Sequence, residues 1–370
     1  MIDNLLNSGL YLFAFVFVLS TVVIVHEWGH FIVARLCGIK VTHFSLGFGR
    51  VLWKRTDKKG TQWQVCLWPL GGYVKMLGDE DAASAKTDTT KVPESERKYM
   101  FMSQPLYKRA AVIFAGPAMN YVFAILLFTG VLFFVGRGII PPVVGDFTED
   151  SPAQAAGMQV GDRIVEMNGH PISEWLDIQR VIRILEFEKS VNVQVDRNGQ
   201  KFSFDIQPIY YPNTDNMPKI GIASNPSLFV VEENLGLGEA FVQSVKSVAS
   251  ITKDTLVYLG QVLFGARSAD GMRGPLGIAE MSGDAFKGGI EVIILFIANI
   301  SVAVGFMNLL PIPLLDGGHL FFYAVEAIIR RPLSERIQNA LLWVGMSILI
   351  GLLLYTMFLD VPRIFERIFG

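Results

Sequence analysis

The chain is short of charge, histidine and cysteine. Only 18% of its 370 residues are Asp, Glu, Lys or Arg, against about 25% in an average soluble domain. The two signs nearly cancel, 32 basic against 34 acidic residues, so no global field favours a nucleic-acid partner. The two cysteines, Cys37 and Cys66, form no CxxC or zinc-ribbon pattern and read as unpaired thiols. No basic stretch precedes the first apolar run and no A-x-A site follows it, so a cleaved signal peptide is not expected. Hydrophobic residues fill the space, at 51% of the chain. Such a composition indicates a membrane protein with a soluble part. Of only five histidines, two fall in one apolar stretch, VVIVHEWGHFIVARLCG, residues 22–38.

Four segments are long and apolar enough to span a bilayer, which takes about 20 residues. They organise the chain into a first span within residues 1–37, a second at 110–136, a third at 290–330 and a fourth at 339–360. About thirteen Lys and Arg lie between the first two spans, and Arg330, Arg331 and Arg336 lie between the last two. The positive-inside rule therefore puts both connections in the cytoplasm and the region between spans two and three outside. Arg363 and Arg367 oppose this weakly. Within residues 38–109, FSLGFGRVLWKR and TQWQVCLWPLGGYVKML read as glycine-broken strands rich in aromatics, able to pack on the spans or dip into the interface. Gly71 and Gly72 either turn a hairpin or position an edge strand for a peptide partner. Residues 79–98 read as a mobile polar loop. Residues 141–222 read as a small soluble domain: VVGDF and DRIVEMNG as strands, EWLDIQRVIRIL as a helix, and SVNVQVDRNGQKFSFDIQP as strand, Asn-Gly turn, strand. In 234–289 an amphipathic helix is expected. Its apolar residues, among them Phe241, Val245, Val248 and Ile251, would pack in a core or lie along the outer membrane surface.

The chemistry starts at His26-Glu27-Trp28-Gly29-His30, an HExxH. Residues i and i+4 stand on one helix face, so both imidazoles can reach one ion. Glu27 lies beside the pair, close enough to serve as general base without being a ligand. Neutral imidazole suits zinc, and a catalytic zinc site takes three protein ligands. Asp316, in NLLPIPLLDGGHL, is an intramembrane acid suited to be the third, with His319 its rival. Pro311 and Pro313 break the helix there. Such breaks are tolerated at membrane depth only where protein or water satisfies the freed backbone.

HExxH in the first span together with NxxPxPxLDGG in a late one resembles the site-2 protease family of intramembrane zinc metalloproteases, in its bacterial RseP-like branch. AGPAMN, residues 115–120, PLGGYVKMLG and GPLGIAEMSG resemble further family motifs, so the likeness covers nearly the whole chain. Gly116, Pro117 and Asn120 read chiefly as helix-packing residues. SPAQAAGMQVGDRIVEMNGHPI, residues 151–172, resembles a PDZ domain. Many members carry two such domains in tandem, and 141–222 suffices for one. The expected fold is an α-helical polytopic membrane protein with four transmembrane helices, a cytoplasmic membrane-associated β-hairpin region and one extracytoplasmic α+β PDZ domain.

The resemblance implies that His26, His30 and Asp316 bind Zn2+ and that Glu27 is the general base. Asn308 matches a family position that holds substrate backbone, and Gly71 and Gly72 would support a substrate strand. It implies substrates that are transmembrane segments of single-span proteins, such as trimmed anti-sigma factors and remnant signal peptides. The setting would be a bacterial inner membrane, with the bilayer and no nucleic acid as further partner. The PDZ domain would recruit new C-termini or, the reading favoured here, exclude bulky ectodomains. A non-cutting zinc scaffold and a metal transporter are the rival classes; neither needs Glu27.

Overall fold

A computed structural model describes residues 2–78, 92–184, 190–209, 219–225, 230–232, 235–265, 269–331 and 333–369. In chain order the elements are α1 (Ile2–Leu36), β1 (Val41–Thr56), β2 (Gln62–Met76), α2 (Leu106–Phe134), β3 (Arg137–Ile139), β4 (Val144–Phe147), α3 (Pro152–Ala155), β5 (Arg163–Met167) and β6 (His170–Pro171). There follow α4 (Trp175–Ile184), β7 (Val191–Arg197), β8 (Gln200–Ile206), β9 (Ile222–Ser224), β10 (Val230–Glu232), α5 (Leu237–Leu263), α6 (Pro275–Lys287), α7 (Ile290–Leu309), α8 (Asp316–Ile329) and α9 (Glu335–Phe369). Among the described residues four helices are long and apolar enough to cross a membrane, at Gly9–Leu36, Leu106–Phe134, Ile290–Leu309 and Arg336–Pro362. The shortest, of 20 residues, is about 30 Å long at 1.5 Å per residue, the thickness of the hydrocarbon layer. This is the organisation of a polytopic membrane protein. The chain divides into two compact units, residues 2–131, 240–263 and 272–370 in the first, and 132–239 and 264–271 in the second.

In the first unit β1 and β2 form a hairpin that folds back on itself. Residues 43–46 of β1 are partnered both by residues 62–65 and by residues 72–75 of β2. The first half of β1 therefore lies between the two halves of β2, and the stretch from Gly72 to Met76 runs along an edge. Gly71 and Gly72 sit inside β2, not at a turn, which corrects the plain hairpin-turn reading. Gly47, Gly49 and Gly71 take φ of 84°, 88° and 108°, a region closed to most side chains. A Cβ at Gly47 would lie 2.4 Å from the Trp68 carbonyl oxygen, so the fold-back needs glycine there.

An aromatic cluster clamps this hairpin to α1. Phe31 of α1 packs on Phe44 and Trp63 at ring-centroid distances of 5.4 and 5.1 Å, and Phe44 lies 4.7 Å from Trp63. Such pairs contribute about 0.5–1.5 kcal/mol each beyond their buried area. At the end of α1 Arg35 pairs with Asp57, which also accepts from the Trp63 indole. Burial works against the Asp57 charge. The Arg35 guanidinium, the Trp63 N–H and the Thr61 and Lys59 backbone N–H groups nevertheless hold its carboxyl down at about 2. Near the opposite bend the Ser20 hydroxyl of α1 donates to the Pro69 carbonyl. Phe48, Leu52, Trp53, Leu67 and Trp68 are left exposed, a surface suited to lipid contact. Of the stretch expected to be a mobile loop, 79–91 lies outside the described residues, whereas Glu94–Tyr99 forms a 3-10 helix. Met100 and Phe101 follow it and are buried.

α5 is amphipathic in an unexpected sense. Its buried positions are the small Ala240 and Ser244 with Val248, and Val248 joins Ala124, Phe128, Ala298 and Val302 of α2 and α7. The larger Phe241, Val245, Leu256 and Leu263 face outward, favouring lipid over core as their neighbour. α6 is a separate helix fastened at both ends. Asp360 of α9 accepts from the Gly277 N–H at 2.8 Å, and Tyr11 of α1 donates to Asp284 at 2.7 Å. A Cβ at Gly283 would fall 1.9 Å from the Tyr11 ring.

In the second unit a four-stranded sheet runs β6-β5-β7-β8, β4 pairs with β9 and β3 with β10. Asn198-Gly199 turns β7 into β8, both residues at positive φ, as an Asn-Gly hairpin requires. The core gathers Ile164, Met167, Val191, Val193, Val195 and Ile178 of α4. Asp162 is fully buried, and Arg197 donates to both of its oxygens, Nε to Oδ1 at 2.6 Å and Nη2 to Oδ2 at 2.7 Å. Burial opposes the charge, but the guanidinium and the Gln159 N–H hold the Asp162 carboxyl below its ordinary value. A depressed carboxyl stabilises above its unfolded pKa, about 3.9, and loses that contribution as pH falls through the folded value. Arg197→Gln is therefore expected to speed hydrogen exchange of β5 and β7 amides at pH 7. The difference from the native chain should shrink below about pH 4; an unchanged exchange rate at pH 7 would show the pair to be dispensable.

Candidate metal centre

α1 and α2 approach closely because small residues meet. A Cβ on Gly29 would fall 2.2 Å from the Ala115 carbonyl oxygen, and one on Gly116 would fall 2.4 Å from His30 Nε2 and 2.8 Å from His26 Nε2. Gly116 thus leaves the space in which the two imidazoles converge. The face of α2 that carries it also orients both rings. His30 Nδ1 is 2.8 Å from the Val112 carbonyl oxygen, which can only accept, so this nitrogen carries the proton and His30 Nε2 presents a lone pair. His26 Nδ1 lies 3.2 Å from the Asn120 amide. Residues 112, 116 and 120 follow one another at i, i+4 and i+8, a single stripe on the helix.

Asp316 arrives from the far end of the chain. α7 ends at Leu309 and α8 begins at Asp316, so the third predicted span is two helices joined by the PIPLL turn. Within the turn Leu314 holds φ of 84°, a conformation that costs a residue with a Cβ about 1–3 kcal/mol and that gathers at functional sites. Gly317 and Gly318 are required by packing. A Cβ on either would fall 2.2 or 2.4 Å from the carbonyl oxygen of Leu310 or Ile312. The turn is closed from the other side by Gly345 of α9, whose Cβ would meet the Pro313 oxygen at 2.3 Å.

The result is three ligand atoms facing one another. His26 Nε2 and His30 Nε2 are 3.1 Å apart, and Asp316 Oδ2 is 3.0 and 3.5 Å from them. Among the described residues this is the one group of three or more metal-ligating side chains. Asp316 Oδ2 is buried without a hydrogen-bond partner. Converging lone pairs repel unless a cation lies among them. Ligands about 2.0–2.1 Å from a tetrahedral zinc stand about 3.3 Å apart, and the observed spacings bracket that value. The residues present therefore fit zinc.

Glu27 stands beside the cluster and does not join it. Its carboxylate meets the Val74 backbone N–H, and its Cγ would be 3.6 Å from a Cβ on Gly72, so β2 passes directly over it. Glu27, Gly72, Asn308 and the three ligand candidates all line one cavity of about 450 Å³. Asn308 is in the last turn of α7, and among the described residues its amide has no hydrogen-bond partner. Gly71 packs against the Phe48 ring and is not a lining residue. His319, the rival ligand, faces the cavity outside the cluster. The cavity lining also includes a part-buried ion pair, Arg109 Nη2 to Glu326 Oε1 at 2.7 Å. Sequence reasoning did not single out this pair, and it read Gly116 and Asn120 chiefly as packing residues.

The family model described as Peptidase family M50 matches residues 14–352. A protein of Agrobacterium fabrum named as a zinc metalloprotease is 38% identical over 368 residues, covering 96% of each chain. One of Rhizobium meliloti, named likewise, is 39% identical over 362 residues, covering 95% of this chain and 96% of its own. Metalloprotease MmpA of Caulobacter vibrioides is 34% identical over 382 residues and 95% of each chain. Likeness of this extent, joined to an HExxH whose histidines meet a distant aspartate among apolar helices, makes the chain a member of peptidase family M50, the site-2 protease family of zinc metalloproteases.

Proposed function

We propose that the protein hydrolyses peptide bonds within transmembrane segments of single-span membrane proteins, with zinc held by His26, His30 and Asp316. The observation that carries this reading is the placement of Glu27 and an edge strand beside three converging ligand atoms, all on one cavity. A scaffold or transporter has no use for that carboxylate. When bound, zinc polarises the scissile carbonyl and acidifies water.

The residues of the chain account for the remainder. A transmembrane helix bonds its own amides, so its backbone must be unwound before it can be cut. The edge from Gly72 to Met76 offers backbone groups to such a segment by strand addition. Glu27 takes the proton from the attacking water. Water's oxygen bonds to the carbonyl carbon, the C–N bond breaks, and Glu27 returns the proton to the departing amine. The Asn308 amide can donate to the substrate carbonyl as its oxygen gains charge. Arg109 and Glu326 tie α2 to α8 within the cavity lining.

The finer setting belongs to the same reading. The basic connections put the hairpin and the metal-proximal ends of the spans in the cytoplasm of a bacterial inner membrane, and residues 141–222 outside. Residues 141–222, with their sheet and α4, act as a single PDZ domain that favours substrates with trimmed ectodomains. Anti-sigma factors already cut outside and remnant signal peptides are the substrate classes that suit this arrangement.

The test uses purified protein and a tagged single-span substrate with a short ectodomain. Glu27→Gln is expected to lower cleavage by about 10²–10⁴-fold while retaining one equivalent of zinc. His26→Ala and Asp316→Ala should lose both metal and cleavage, and a chelator should silence the native protein until zinc is restored. Stoichiometric zinc in a native protein that cuts no such substrate would favour the scaffold class. A separate expectation concerns Gly116→Val, whose side chain occupies the space of the imidazoles. It should fold, as judged by its thermal unfolding without metal, yet fail to retain zinc through gel filtration; full retention would refute the steric role.

A further inference from the structure

The environment of His26 contains an unsettled hydrogen bond. Asn120 is completely buried. Its Nδ2 is placed 3.2 Å from His26 Nδ1, while its Oδ1 is buried with no hydrogen-bond partner. In that orientation the amide donates to Nδ1. The His26 proton then resides on Nε2, directed at Asp316 Oδ2 3.0 Å away. That tautomer leaves the Asn120 oxygen without a partner and leaves Nε2 with no lone pair to give a metal.

Holding zinc through Nε2 requires the opposite tautomer, with the proton on Nδ1 and an acceptor facing it. An amide carries a donor on one end and an acceptor on the other, and turning it end for end brings Oδ1 to face Nδ1–H. We propose that Asn120 is the positioning residue of His26: its side-chain oxygen accepts from Nδ1–H and so keeps the Nε2 lone pair free for the metal. The proposal rests on the zinc reading given above. His30 has a partner of fixed polarity in the Val112 carbonyl, whereas the tautomer of His26 depends on which end of the Asn120 amide faces it.

The backbone of Asn120 is fixed by its neighbours. Its carbonyl oxygen accepts from the Ser301 hydroxyl of α7 at 2.9 Å, and its Cβ lies 3.2 Å from where a Cβ on Gly305 would stand. α2 is thereby held between α1 and α7 at the height of His26. Leucine in this place keeps the volume and loses the acceptor. Aspartate keeps an acceptor at every orientation.

Zinc affinity of the purified full-length chain, measured by competition with a chelator, tests the idea without reference to cleavage. Asn120→Leu is expected to weaken zinc binding by about 10–100-fold, the range for loss of such outer partners. Asn120→Asp should bind at least as tightly as the native chain. Equal weakening in both variants, or none in Asn120→Leu, would overturn the role of Asn120 while leaving the zinc site intact. Absence of zinc binding in the native chain would instead overturn the zinc reading itself. Should Asn120→Leu fail to fold, the native protein still decides: ¹⁵N NMR of the zinc-loaded chain should show His26 protonated at Nδ1, and metal bound at Nδ1 would refute the proposal.

Discussion

The structure depends on how closely α1 and α2 approach. Gly29 lies against the Ala115 carbonyl and Gly116 against both imidazoles, so no side chain separates the two helices where the chemistry is. This contact brings the Val112 carbonyl and the Asn120 amide within reach of the histidines. In lipid there is little hydrophobic drive for helices to associate, and close backbone packing with buried hydrogen bonds takes its place. The same small residues therefore serve association and catalysis. A glycine that would be a packing detail in a soluble bundle here sets the space between the ligand candidates.

A second consequence concerns α7 and α8. A continuous helix would carry Asp316 past the histidines on a fixed register. The PIPLL turn, strained at Leu314 and packed on Gly317, Gly318 and Gly345, lets a new helix start at Asp316, the candidate ligand. Its remaining polar residues then continue along the cavity, from His319 to Tyr323 and Glu326. The helix break and the polar face are one device: the break places the carboxylate, and the face lines the cavity with polar groups among apolar neighbours.

What could be read from the sequence was what is local. The four spans are visible because apolarity sustained over 20 residues has few other causes, and the histidine pair because i and i+4 share a face. The strand, Asn-Gly turn and strand of residues 191–206 followed from turn chemistry alone. Asp316 was legible only through its surrounding motif, since nothing local connects it to His26. The fold-back of β1 and β2 was hidden because aromatic alternation is the same whether a strand has one partner or two, and for that reason Gly71-Gly72 stayed open between a turn and an edge strand. The outward apolar residues of α5 were readable as a periodic pattern, but not the small face that packs, because Ala240 and Ser244 carry no hydropathy signal. Asn120 was read as packing because its importance comes from which end of an amide faces a ring.

The bond from Ser20 to Pro69 has a consequence in time as well as in space. Ser20 precedes His26 by six residues, about 9 Å along the helix. Because the hairpin is fastened there, its bend is held against α1 ahead of the histidine turn, and the edge from Gly72 to Met76 is left beside Glu27. Under the proposed function, a substrate stretch that stays coiled would make no backbone bonds to the edge from Gly72 to Met76 and would leave before Glu27 could act on it. Selectivity would then rest on how readily a helix comes apart, and would be exercised by waiting.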